Sequence, residues 1–290
     1  MKSGVQHKSV YRIVSIIVLF ILAFLFVFPL YWIVTGAFKT TQQINSVTPV
    51  WFPTEWTLDN FVRLFARRTA PIFPMGPVGP AAIRWLFNTV FMAVAAMILT
   101  CITASMAGYA LAKKRFRGRA ILFGLIVCAM ALPKQVILIP LIREISFLGL
   151  YDNIWAVIFP TVGWPFGVFL MKQFSEGIPG EILEAARIDG ANEARTFATI
   201  VVPMVKPGLG ALAIFTFINS WNDYFMQLIM LASTENATIS LGISTLQAET
   251  SVDTGMLMAG AALAAAPIII VFLIFQKYFT QGITMGAVKG

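Results

Sequence analysis

The chain has 290 residues, 58% of them hydrophobic and only 12% charged, and its mean hydropathy is +0.82. A soluble domain keeps roughly a quarter of its residues charged, so this composition excludes one and makes the number of bilayer crossings the question. Net charge is +8, with one histidine (His7) and two cysteines (Cys101 and Cys128), which leaves no framework of disulfides or metal ligands.

Six apolar runs reach the roughly 20 residues that cross a ~30 Å hydrocarbon core. The first, about Ile13–Thr35, follows Lys2, Lys8 and Arg12. Its apolar core is too long for a cleaved signal and no small-residue cleavage site follows, so it reads as a retained span. A long loop, Lys39–Arg84, carries Pro49, Pro53, Pro71, Pro74, Pro77 and Pro80 with Trp51 and Trp56. Such Pro-dense backbone is expected to build neither helix nor sheet, and the tryptophans suit a membrane interface. The second run, Phe87–Leu111, has Ala104, Gly108 and Ala112 at four-residue spacing, and the last has Gly260 and Ala264. Small faces let helices approach closely in lipid, and packing within the subunit accounts for them.

Lys113, Lys114, Arg115, Arg117 and Arg119 crowd the short turn before the third run, Ile121–Leu141. This turn reads as a topology determinant rather than a nucleic-acid patch. The fourth run, Ile154–Met171, is interrupted by Pro160, Gly163, Pro165 and Gly167, as a kink or a cavity wall allows. The fifth is Pro207–Leu231 and the sixth Met256–Tyr278; the loop between them, Ala232–Gly255, has no Lys or Arg. By the positive-inside rule both termini, the basic turn and the polar loop 172–206 face the cytosol. Lys39, Arg63, Arg67, Arg68 and Arg84 fit less well, but long loops count less. The expected fold is therefore an all-α membrane protein: one domain over residues 1–290, six transmembrane helices, both termini inside.

Two polar constellations interrupt the hydrophobic pattern. In the 172–206 loop, Pro179 suits the first turn of a helix and Gly190 its end. Glu181 and Glu184 then lie near the positive end of that helix's dipole, and Asn192 is placed to cap a second helix running to Pro203. Ala185 and Ala186 give a low-relief surface. A solvated connector and a docking helix both satisfy this chemistry. The second constellation is Asn219-Ser220-Trp221-Asn222-Asp223-Tyr224. Asp223 lies ~24 Å above Pro207 at ~1.5 Å per helical residue. A carboxylate near mid-bilayer costs ~2.5–3.5 kcal/mol and needs a partner. Lys134, at comparable height in the third run, is that partner. An ion pair joining two helices and a cavity lining both fit. Amides, a carboxylate and aromatic faces together are what a sugar site uses, which makes Lys134, Asn219, Trp221, Asn222, Asp223 and Tyr224 the candidate substrate path.

The run Glu184-Ala185-Ala186, then Gly190, then Ile200 and Val202-Pro203 resembles the EAA loop of ABC-importer permeases; Val202 replaces the usual Leu. The Trp-Asn-Asp-Tyr segment is similar to one in carbohydrate permeases of the maltose type, as is the tail Ala287-Val288-Lys289-Gly290. This resemblance, over about Arg84–Gly290, implies a type I importer of the bacterial inner membrane. In it, a second homologous permease shares the path, two ATP-binding subunits lie below, and an external solute-binding protein delivers a sugar, expected to be an oligosaccharide. It implies that Glu184, Ala185, Ala186, Arg187, Asp189 and Gly190 couple to the ATPase, that the tail contacts the ATPase dimer, and that loop 232–255 meets the binding protein. No phosphate-cradling Gly-Lys-Ser/Thr stretch is present, so ATP belongs to the partner and no cofactor or catalytic residue is expected here. Alternatives are a non-sugar importer and an ion-coupled carrier, though the latter is expected to show several intramembrane acids and repeat symmetry.

Overall fold

The computed structural model describes residues 3–69, 78–247 and 253–287, and most of these are helical. The chain opens with α1 (Ser3–Ala37), followed by α2 (Thr41–Ile44), α3 (Asp59–Ala66) and a short antiparallel pair, β1 (Arg68–Thr69) with β2 (Gly79–Pro80). The expectation of an irregular loop here is thus corrected. Asp59–Ala66 is free of proline, so nothing blocks a helix; the prolines lie on either side of it.

Asn60 fixes this segment to the bundle. It is fully buried, and its Nδ2 donates to the carbonyls of Ala37 at 2.9 Å and Lys39 at 2.8 Å. The last carbonyls of any helix lack intrahelical donors, so Asn60 caps α1 from a distance. Arg63 bonds Asn60 Oδ1 and pairs with Asp253 at 3.2 Å, tying α3 to the start of α15 (Thr254–Ala287). Asn60→Ala is expected to lower the melting temperature of the solubilised subunit, because two buried carbonyls lose their donors at a cost of about 2–4 kcal/mol. An unchanged melt would remove Asn60 from this role.

At the centre stands α4 (Ala81–Lys113), which packs most extensively against α8 (Pro165–Glu176) and then α12 (Lys206–Asn222). Its small-residue stripe works inside the subunit, as expected. A Cβ on Gly108 would fall 2.6 Å from the Lys172 backbone nitrogen, and Ala104 faces Gly167. The other small face does likewise, with Gly260 against Ile243 of α14 (Ile239–Gln247).

The predicted third span is not one straight helix. It divides into α5 (Arg119–Met130) and α6 (Lys134–Phe147), which meet at 105°. Pro133 lacks an amide hydrogen and disfavours helical geometry in Leu132 before it, so the chain turns there. The fourth run is α7 (Trp155–Val162) and α8, divided at Gly163 and Trp164, with Pro165 opening the second piece. The fifth is α12 and α13 (Tyr224–Met230), divided at Asp223. Between α8 and α12 lie α9 (Gly180–Ile188), α10 (Glu193–Thr196), a π-helical turn (Phe197–Val201) and α11 (Val202–Met204).

Tyr11–Ala37, Ala81–Lys113, Trp155–Glu176 and Thr254–Gln276 are long and apolar enough to cross a membrane. The pairs α5–α6 and Glu193–Met204 with α12, bent by 105° and 79°, bring the total among the described residues to as many as six. The last helix runs to Ala287, past the expected span end at Tyr278. Val288, Lys289 and Gly290 lie outside the described residues.

Candidate functional site

Three of the helix breaks converge on one ammonium. Lys134 opens α6, and its Nζ donates to Asp223 Oδ2 at 3.0 Å while lying 3.8 Å from the ring centre of Trp164. Asp223 closes α12, and its Oδ1 accepts the Met226 amide at 3.3 Å, capping α13. Trp164 immediately precedes α8. These residues, with Thr161, Phe215 and Asn219, line a cavity between the broken helices. The expected pairing of Lys134 with Asp223 is present, but between two residues at helix breaks rather than two points along straight spans.

Not every expected path residue faces this cavity. Asn219 lines it, with Nδ2 donating to Phe215 O at 2.9 Å. Trp221 does not: it is 3% exposed, and its ring stacks on Phe217 in the core. The reading of Trp221 as a face for sugar is corrected, because the α12 helix turns that side toward the bundle. Asn222 is exposed and donates back to Ile218 O, and the Tyr224 hydroxyl donates to Ser244 Oγ at 3.0 Å. The aromatic face against the Lys134 ammonium belongs to Trp164, which composition alone did not single out. Its position between Gly163 and Pro165, the break itself, was the available signal.

At the C-terminal end of α4 the 172–206 loop is built largely as its residues suggest. Pro179 stands one place earlier than expected, as the N-cap of α9. Gly190, just past the helix, has φ of +77°, a conformation glycine adopts without a Cβ penalty. The Asn192 side chain accepts the Arg195 amide at 2.8 Å and caps α10. Leu183 and Ala186 are buried and face this chain's own bundle. That corrects the pairing of Ala185 with Ala186 as one outward surface: residues three apart share a face, and neighbours do not.

Outward from α9 point Glu184, Ala185, Asp189 and, unforeseen, Ile188, which is 87% exposed. Arg187 is engaged within the chain, 3.3 Å from Glu193, whose other oxygen bonds Lys114. The Lys114 hydrogen bond, with Arg187 nearby, holds the Glu193 carboxyl below its ordinary range. Lys113 of the same basic turn donates to the carbonyls of Glu176 at 3.0 Å and Ile178 at 2.6 Å. This turn therefore fastens α4 to the start of the polar loop.

At the opposite end of α4, the segment 232–238 is held by several donors and acceptors. Arg84 Nε, Trp85 Nε1 and Asn88 Nδ2 donate to the carbonyls of Glu235, Thr234 and both Glu235 and Ala237. Asp152, at φ of +59°, accepts the amides of Ala232 and Ser233 at 2.8 and 2.9 Å. Burial pushes its carboxyl up, but those amides and the Ser233 hydroxyl outweigh burial and leave it below the ordinary carboxylate range. Stability from such a depressed group is present above the unfolded pKa and lost as pH falls through the folded one. The amides of Ala232 and Ser233 are expected to be protected from exchange at neutral pH and, relative to their intrinsic rates, less protected in acid or in Asp152→Ala. Hydrogen-exchange mass spectrometry checks this, and equally fast exchange in both proteins contradicts it.

The pattern of the family described as "Binding-protein-dependent transport system inner membrane component" matches residues 101–285. The arabinooligosaccharides transport system permease protein AraQ of Bacillus subtilis (strain 168) is 35% identical over 284 residues, covering 97% of each chain. The maltodextrin transport system permease protein MdxG of the same organism is 32% identical over 284 residues, covering 96% of each. In fold, the chain matches a crystal structure of a bacterial ABC transporter involved in the import of the acidic polysaccharide alginate. The TM-score is 0.81 at 23% identity, covering 94% of this chain and 98% of that one.

Proposed function

This chain belongs to the family of binding-protein-dependent transport-system inner-membrane components, and we propose that it is the permease through which an oligosaccharide crosses the membrane. It is a non-catalytic subunit of an ABC importer, and ATP is hydrolysed by a separate subunit. The names of AraQ and MdxG support an oligosaccharide as cargo. The chain crosses six times with both termini in the cytosol, which places α9 and the basic turn inside and segment 232–238 outside.

The observation that carries this reading is α9. One side is seated on the bundle by Leu183 and Ala186, while Glu184, Ala185 and Ile188 point away from it. Glu184 makes no ion pair among the described residues. A helix so fixed on one side transmits a push received on the other. When ATP draws the two motor subunits together, their grip on α9 moves α8 and α12, and the cavity at Lys134, Asn219 and Asp223 changes sides. A second homologous permease completes the path. The external binding protein docks over 232–238, and the tail at Ala287, Val288, Lys289 and Gly290 reaches the ATPase dimer.

Reconstitution of the complete importer with its receptor tests the assignment. Uptake of a labelled oligosaccharide is expected only with ATP. Uptake that persists without ATP, or no saccharide uptake at all, overturns it.

A further inference from the structure

Lys134 and Asp223 are the only charged side chains lining the cavity among the described residues. Their charges cancel, and each is already engaged. The ammonium lies between the Asp223 carboxylate and the indole of Trp164, and the other carboxylate oxygen holds the Met226 amide. The remaining polar groups are uncharged. They include Thr161, Asn219, and the buried Thr100 and Ser220, each 1% exposed, whose hydroxyl oxygens find no hydrogen-bond partner. Buried hydroxyls without partners are costly, and two in the wall of one cavity are uncharged groups that a hydroxyl-rich ligand satisfies once the cavity opens. A carboxylate-bearing ligand gains nothing here unless it first draws Lys134 from Asp223.

We infer that the Lys134–Asp223 pair sets the charge class of the cargo: the path passes uncharged saccharides and does not hold acidic ones. The inference rests on the oligosaccharide-permease reading and adds a specificity role to the pair. The geometry separates this role from that of a purely mechanical clamp across the three breaks. A clamp needs the ion pair itself, whereas a charge filter needs only a neutral cavity.

The test uses the complete importer in proteoliposomes, with the neutral trisaccharide that the wild type takes up best from a panel. Asp223→Asn and Lys134→Met each leave one charge unpaired, and each is expected to lower uptake at least about tenfold. The double variant Lys134→Met/Asp223→Asn restores neutrality and is expected within about threefold of wild type. Trigalacturonate on the cytoplasmic face is expected to inhibit Asp223→Asn and to leave wild type unaffected. A double variant as impaired as the singles overturns the inference in favour of a clamp. Inhibition of wild type by trigalacturonate overturns it too, and needs no variant to fold. In both cases normal wild-type uptake leaves the permease assignment standing. Failure of the wild type to take up any saccharide on the panel overturns the assignment and the inference together.

Discussion

Gly108→Val is expected to abolish the folded subunit. An isolated glycine inside a helix costs about 1 kcal/mol relative to alanine, so its presence in the middle of α4 needs an offset. That offset is the approach of α8: a Cβ would lie 2.6 Å from the Lys172 nitrogen and 2.7 Å from the Met171 carbonyl carbon. These are backbone atoms and have no rotamer by which to retreat. In lipid, where helices gain no hydrophobic benefit from meeting, close backbone contact is a main source of association. Separating α4 from α8 weakens the most extensive helix contact in the chain, and the loss is expected to reach about 3 kcal/mol or more. Gly124→Ala is the control, since nothing lies within 4 Å of its Cβ position; it is expected to be as stable as wild type or more so, by up to about 1 kcal/mol. The monodisperse fraction after detergent extraction, with thermal melts of both variants, decides the matter. A Gly108→Val protein that melts with wild type contradicts the packing argument.

Ile188→Glu is expected to leave the subunit folded and to uncouple it from its motor. At 87% exposed, Ile188 contributes little to this chain's own core. An exposed apolar side chain at the tip of a short helix is the kind of anchor that fills a pocket in a partner, and losing one costs about 2 kcal/mol or more, or about thirtyfold in association. Arg187→Ala should do far less. Its partner Glu193 lies within the chain, and both side chains are more than half exposed at 58% and 59%, a setting in which ion pairs are worth about 0–1 kcal/mol. The effect of Glu184→Ala reads out its surroundings in the complex: about 3–5 kcal/mol if the partner buries it against a cation, and about 0–1 kcal/mol if that pair stays wet. Co-purification of the ATPase with each variant, alongside ATP-driven uptake, ranks the three. Retention of the ATPase by Ile188→Glu at wild-type levels rules Ile188 out as the anchor.

Much of this was legible in the chain because the signals were local. Asn192 caps the helix it was expected to cap, and Gly190 terminates α9 with the backbone angle that favours glycine. The small residues at 104 and 108 mark where helices touch. What escaped depends on partners far along the sequence. The direction in which Trp221 points is set by the packing of α12 on the bundle, and Trp164 gains its role from a lysine thirty positions earlier. Asp152 and Asn60 satisfy carbonyls and amides brought to them by the fold. The break at Pro133 was visible as a residue type, but its 105° angle was not.

That angle has a consequence for the shape of the chain in a bilayer. At ~1.5 Å per residue, α5 rises about 18 Å before the turn, little more than half of a ~30 Å hydrocarbon layer. Beyond it α6 swings aside, with Val136 66% exposed and Ile139 69% exposed. On this flank α5 alone is too short to cross, and α6 continues at a steep angle to it. The exposed apolar side chains of α6 are left for acyl chains or another polypeptide to cover.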